Sequence, residues 1–152
     1  AYIAHGMVRR GDEIWQYYFG ETQYHSAFRK DDRGRGVYRL VQRLDGFVSI
    51  DSPYGEEIEV VTKPLVFQGN RLLLNIDTDA VGYAQVGFLD RQGAPIEGFS
   101  VDDGVYINGD FVETEVEWLR QGTDLSELAG RTVQIVLRMR GSKLYSMQFV
   151  QR

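Results

Sequence analysis

The chain of 152 residues has no cysteine, two histidines and three prolines. Without cysteine there is no disulfide, no thiolate nucleophile and no Cys-based zinc site. The histidines, His5 and His25, form no pair at helical spacing, so a metal-ligand set or a catalytic triad finds little to use. No G-x-S-x-G stretch occurs. Gly34-Arg35-Gly36 is too short for a phosphate loop, and no helix follows it. Positive charge is also scarce: 17 Lys and Arg stand against 22 Asp and Glu, a net charge of −5. Nucleic acid and anionic membrane both need a basic patch, so neither is an expected partner. No apolar run reaches the roughly 18 residues of a membrane-spanning helix.

What is present is glycine (17 residues), aromatic residues (12%) and a hydrophobic fraction of 43%, enough for one buried core. Apolar residues alternate with polar ones along most of the chain, the mark of half-buried strands. In Val112–Trp118, residues Val112, Thr114, Val116 and Trp118 share one face, and Glu113, Glu115 and Glu117 the other. Thr132–Met139 turns Val133, Ile135, Leu137 and Met139 inward. Arg71–Asp77 groups Leu72, Leu74 and Ile76, and Tyr83–Leu89 groups Ala84, Val86 and Phe88. Leu144–Val150 groups Tyr145, Met147 and Phe149, and Glu57–Val61 groups Ile58 and Val60. Val37–Leu44 adds Tyr38, Leu40 and Leu44. Turn-forming residues separate these runs, and Gly141-Ser142 between two of them reads as a hairpin. Only Asp124–Gly130 reads as helical, one turn or two with Gly130 as the stop. The expected fold is all-β: an antiparallel, jelly-roll-like β-sandwich of about eight to ten strands with one short helical turn near 124–129. Helical crossovers for a parallel sheet are missing.

The stretch Gly11–Gly20, GDEIWQYYFG, holds four aromatic residues. Trp15, Tyr17 and Phe19 share one strand face with Glu13; Ile14 and Tyr18 share the other with Gln16. Both faces are apolar, which predicts a strand covered on both sides, with a sugar-stacking platform as the alternative. Residues 21–36 are polar and charged and read as a connector, so the expected organisation is 1–20, a connector at 21–36 and a sandwich at 37–152. The chain opens on Ala1, which reads as a processed or trimmed end.

Three groups of residues are candidates for a site. Asp102, Asp103, Asn108 and Asp110 place four oxygen-bearing side chains within nine residues, a set that calcium could use, although the spacing is not that of an EF-hand and the same residues form ordinary turns. Tyr54 and Tyr106 lie in turn-rich segments, SPYGEE and GVYING, where binding residues gather; sugar stacking and packing over the loop base are the two readings. The Glu113, Glu115 and Glu117 row is either a carboxylate cluster for glycoside hydrolysis or a charged guard on a sheet edge.

The run MVRRGDEIWQYYFG at Met7–Gly20 resembles the last-blade strand of bacterial five-bladed β-propeller proteins related to glycoside-hydrolase families 32 and 43. VQRLDGFVSID, TKPLVFQGNRLLLNID, GAPIEGFSVDD and TDLSELAGRTVQIVLRMRGSKLYSMQF follow in the order of the C-terminal β-sandwich that such propellers carry. The resemblance spans nearly the whole chain and includes no catalytic motif. It implies a residual blade segment at 1–20 followed by a sandwich, in a secreted or periplasmic carbohydrate-processing protein. The catalytic acids would lie in upstream blades, so no catalytic residue carries over. The leading expectation is a non-catalytic accessory sandwich that binds a polysaccharide or oligosaccharide. The alternatives are a structural module bracing an upstream propeller or self-associating, and a stand-alone glycoside hydrolase.

Overall fold

Alternating apolar residues become strands almost wherever they occur. In the computed structural model, which describes residues 2–21 and 35–152, the strands are β1 (Tyr2–Ile3), β2 (Val8–Arg10), β3 (Glu13–Gly20), β4 (Gly36–Arg43), β5 (Ile50–Ser52), β6 (Ile58–Val61), β7 (Leu65–Val66), β8 (Arg71–Leu89), β9 (Asp110–Glu115) and β10 (Thr132–Val150). All pairings between them are antiparallel. The protein is an all-β sandwich, and the described residues include one short 3-10 turn at Val101–Asp103. The chain divides into two units, Ala1–Gly46 and Phe47–Arg152.

The second unit is organised by β8 and β10, each 19 residues long and paired along nearly their full length. Strands β5, β6 and β7 pair with the free side of β10, and β9 pairs with the free side of β8. One buried cluster takes in Leu72, Leu74 and Ile76 from the first half of β8 and Ala84, Val86 and Phe88 from its second half. Val133, Ile135, Leu137, Met139 and Leu144 of β10 join it. A single core can collect both halves only if the ribbon folds over, so each long strand serves both layers. Phe88 packs at the aromatic centre, 5.5 Å from Trp118, 6.0 Å from Phe67 and 6.3 Å from Phe99 between ring centroids. The indole of Trp118 donates to the Val86 carbonyl at 2.9 Å, so its one polar atom is satisfied in the core. Burying each large side chain contributes about 1.5–3 kcal/mol.

The fold-over occurs where the register slips. Arg140 pairs with Tyr83 but Ser142 pairs with Thr78, which leaves residues 79–82 opposite Gly141 alone. Gly141 adopts φ +52, and a Cβ on Gly82 would lie 2.2 Å from the Gly141 carbonyl oxygen. Two glycines therefore let the strands approach and bend. The hairpin expected at Gly141-Ser142 is absent: β10 runs on through both residues, because the left-handed backbone of Gly141 serves a bulge. A second slip, between Leu144 and Ser146, skips Tyr145. Leu144, not Tyr145, thereby enters the core beside Met147 and Phe149.

Asp124–Gly130 makes a turn and no regular helix. Leu128 and Ala129 both donate to the Leu125 carbonyl, and Asp124 Oδ1 accepts from the Ser126 N–H and Oγ. These Ser126 bonds hold the Asp124 carboxyl below its ordinary acidity range. Leu125 and Leu128 point into the core.

The first unit is a separate sheet. β3 is central, β1 and β2 share one of its edges, and β4 takes the other over Glu13↔Arg43 to Gly20↔Gly36. The run Val37–Leu44, expected with the sandwich, thus belongs to the opening unit, and the division falls at Gly46/Phe47. Four paired strands form a sheet more readily than one strand left alone. The expected connector lies outside the described residues except for Glu21, Arg35 and Gly36; Arg35 and Glu21 form an ion pair at 2.6 Å.

The expectation that Gly11–Gly20 is covered on both faces does not hold. Tyr17 and Phe19 are exposed on one face, while Ile3 and Tyr38 are exposed on the other. Only partial shelter is supplied from within the sheet: the Arg39 guanidinium lies 4.0 Å from the Trp15 ring centroid, and Tyr18 stacks on Tyr38 at 5.4 Å.

Candidate functional site

The alternation that turns Ala84, Val86, Leu137 and Met139 inward turns Tyr83, Gln85, Arg138 and Arg140 outward. Register sets the outward residues side by side: Arg140 with Tyr83, and Arg138 with both Gln85 and Glu59. Two rows result on the outer face of the sandwich.

The first row contains both tyrosines singled out from sequence. Tyr54, 58% exposed, sits beside Arg140, whose Nε donates to the Tyr54 carbonyl at 2.8 Å and whose guanidinium lies 5.7 Å from the Tyr54 ring centroid. Tyr83 comes next. Its ring meets Tyr106 edge-on at 5.2 Å, and Tyr106 is 64% exposed. The Tyr83 hydroxyl donates to Glu57. That bond keeps the phenol protonated and raises its pKa above the ordinary tyrosine value, with a smaller contribution from burial. Tyr54, Arg140, Tyr83 and Tyr106 therefore form one continuous line. It crosses three strand spacings, about 14 Å.

The second row is ionic. Arg138 Nη1 donates to Asp102 Oδ1 at 2.6 Å, its Nε donates to Glu59 Oε1 at 3.2 Å, and Glu57 Oε1 lies 3.7 Å away. Hydrogen bonding to Asp102, ahead of that to Glu59, pushes the guanidinium pKa further up. Gln85 is buried and donates to the Gly104 carbonyl at 2.9 Å. A Cβ on Gly87 would lie 2.2 Å from the Val101 nitrogen, so that glycine lets the 3-10 turn lie directly on the sheet.

The four residues considered for calcium go to different tasks. Asp102 pairs with Arg138. Asp103 closes a capping box with Ser100, accepting from its Oγ at 2.6 Å. The Asn108 amide braces the fold-over, donating to the Gly82 carbonyl at 2.6 Å and to Thr78 Oγ1 at 3.2 Å. Asp110 starts β9 opposite Asp77. Among the described residues no group of three or more His, Cys, Asp or Glu side chains is placed to hold a metal ion. His5 is exposed, and His25 lies outside the described residues.

β9 is the outer strand of its sheet, and its acidic row is tied down. Arg152 bonds to Glu113, and to Glu115 at 2.5 Å. This is how a charged edge is guarded. A groove of about 400 Å³ opens at the fold-over, lined by Asp51, Asp77, Asp79 and Lys143 together with Ser52 and Ser142.

Sequence reasoning singled out Tyr54 and Tyr106 as candidates but not Tyr83, Arg140, Glu57 and Arg138, which the fold sets beside them. The signal was available. These residues occupy the outward positions of the very strands whose inward positions defined the core.

The chain matches no protein-family model, no curated protein and no solved structure.

Proposed function

We propose that this protein is a non-catalytic accessory β-sandwich of a carbohydrate-active protein, and that it binds glycan along the Tyr54–Arg140–Tyr83–Tyr106 line. The observation that carries this reading is the exposure of two tyrosine rings at the ends of one braced row. Exposed aromatic side chains lose apolar hydration when covered, and flat rings suit the apolar faces of pyranoses. Arg140, Glu57 and the tyrosine hydroxyls supply the donors and acceptors that a sugar's hydroxyl groups need. Arg140 and Tyr83, the middle of the row, sit on paired strands, so little entropy is lost in ordering them. Secretion and an upstream propeller partner follow from the family resemblance, which rests on the residues that carry it.

Affinity electrophoresis against a panel of neutral and acidic polysaccharides tests the proposal. At least one should retard the protein. Tyr54→Ala and Tyr106→Ala should each weaken that binding about five- to tenfold, roughly 1 kcal/mol per ring, without lowering Tm. The reading fails if no glycan binds, or if both alanine variants bind as the parent does.

A second reading is favoured by the opening sheet, whose two faces carry exposed Ile3, Val8, Tyr38, Leu40 and Val41. Such a patch suits association with a propeller or with a second copy. Light scattering across a wide concentration range checks self-association; a monomer throughout removes it.

A further inference from the structure

The glycan-binding row is not electrically uniform, and its asymmetry bears on what it would hold. The carboxylates of the face already have partners. Asp102 and Glu59 bond to Arg138, and Glu57 accepts from Tyr83 while lying 3.7 Å from Arg138. Three carboxylates around one guanidinium leave the second row negative, and Glu57 brings that charge up to Tyr83 in the first. Arg140 is different. Its Nε is committed to the Tyr54 carbonyl, but no carboxylate pairs with it among the described residues. The residue is exposed, and the Nε bond and the Tyr54 ring hold the fork in place. A guanidinium fixed in this way, with both terminal nitrogens left to donate, matches a carboxylate bidentately.

Resting on the glycan-binding reading above, we infer that the ligand is an acidic glycan, bound through a uronate carboxylate on Arg140 while its ring stacks on Tyr54. The chain leading away from that uronate runs over Tyr83 to Tyr106. Beside Tyr83, Glu57 and the cluster around Arg138 repel a second acidic group and accept hydroxyl donors instead. The polarity of the face thus predicts a direction as well as a class. The acidic unit sits over Tyr54 and Arg140, and the unit over Tyr83, whose hydroxyl bonds Glu57, is neutral.

The test compares polyuronates with their own methyl esters, which keep the backbone and lose the charge. Galacturonan, alginate and glucuronan, each as free acid and as ester, are titrated by calorimetry into the full chain with a chelator present, so that calcium bridging does not contribute. The inference expects one free acid to bind about tenfold or more tightly than its ester at about 0.01 M ionic strength. The advantage should shrink markedly at about 0.5 M, as screened charge contacts do. Arg140→Gln should bring the acid-to-ester ratio close to one, and Arg140→Lys should restore only part of it, because a point charge cannot fork. The esters need no folded variant, so the comparison stands even if Arg140→Gln is unstable. Equal binding of acid and ester overturns the inference and leaves glycan binding intact. Tight binding only to neutral polysaccharides does the same. Absence of binding to every glycan overturns both.

Discussion

The opening sheet and the sandwich are written in the same alphabet and buried differently. β3 alternates aromatic residues as regularly as β8 alternates Leu, Val and Phe. Yet Phe88 is fully buried, whereas Phe19 is 40% exposed. The difference is what lies opposite. β8 and β10 fold over so that each supplies the other layer's cover, and Trp118, Phe99 and Leu125 close the ends. Within the opening sheet, among the described residues, cover comes only from neighbouring side chains such as Arg39 and Tyr38. Alternation therefore reports that a strand has two faces. It does not report which of them meets another layer.

Substitutions should show the contrast most strongly in the core. Phe88→Ala or Trp118→Ala should cost about 3–5 kcal/mol of unfolding free energy, since each leaves a large cavity beside rings that cannot collapse into it. Phe19→Ala should cost less than about 1 kcal/mol. Urea titrations of the three variants check this, and similar costs would mean that the opening sheet is covered in solution.

A smaller effect is expected at the fold-over that creates the cover. Gly82→Ala forces a Cβ against the Gly141 carbonyl, and Asn108→Ala removes the amide that spans the bulge. Each should cost about 1–3 kcal/mol, by backbone strain and by lost hydrogen bonds respectively. Differential scanning calorimetry reads both. A wild-type Tm for Gly82→Ala would mean that the corner has room to relax.

The smallest effect is a titration. The folded pKa of Tyr83 is raised, by the Glu57 bond first. Any stability this gives is fully present below the unfolded tyrosine value near 10 and is lost as pH rises through the folded value. The difference absorbance of the parent against Tyr83→Phe should show one phenol that ionises above the ordinary tyrosine value. Loss of the Glu57 carboxylate, in Glu57→Gln, should bring that phenol back toward the ordinary value.

Much of the sandwich was legible. The inward sets Leu72/Leu74/Ile76, Ala84/Val86/Phe88 and Val133/Ile135/Leu137/Met139 are buried as their spacing predicts. The breaks were less so. Gly141-Ser142 has the composition of a hairpin, but a glycine with positive φ serves a turn or a bulge equally well. Only the partner strand's slip from Tyr83 to Thr78 distinguishes them. Tyr145 shares a face with Met147 and Phe149 by spacing alone and parts from them for the same reason: one skipped residue reverses every face beyond it. The candidate site was half visible, as two loop tyrosines. The link between them, Arg140 and Tyr83, depends on the register of two strands more than fifty positions apart in sequence.

Residue order alone settled that the chain would form strands, that these would bury Leu, Val, Ile and Phe on alternate positions, and that cysteine chemistry has no place in it. Those outcomes follow from side-chain spacing and composition, which are local. The folded chain decided which aromatic residues became core and which stayed at the surface, where the long ribbon turns, and which outward residues meet. Each of these depends on long-range pairing, whose closure entropy and packing gains no short window of sequence contains.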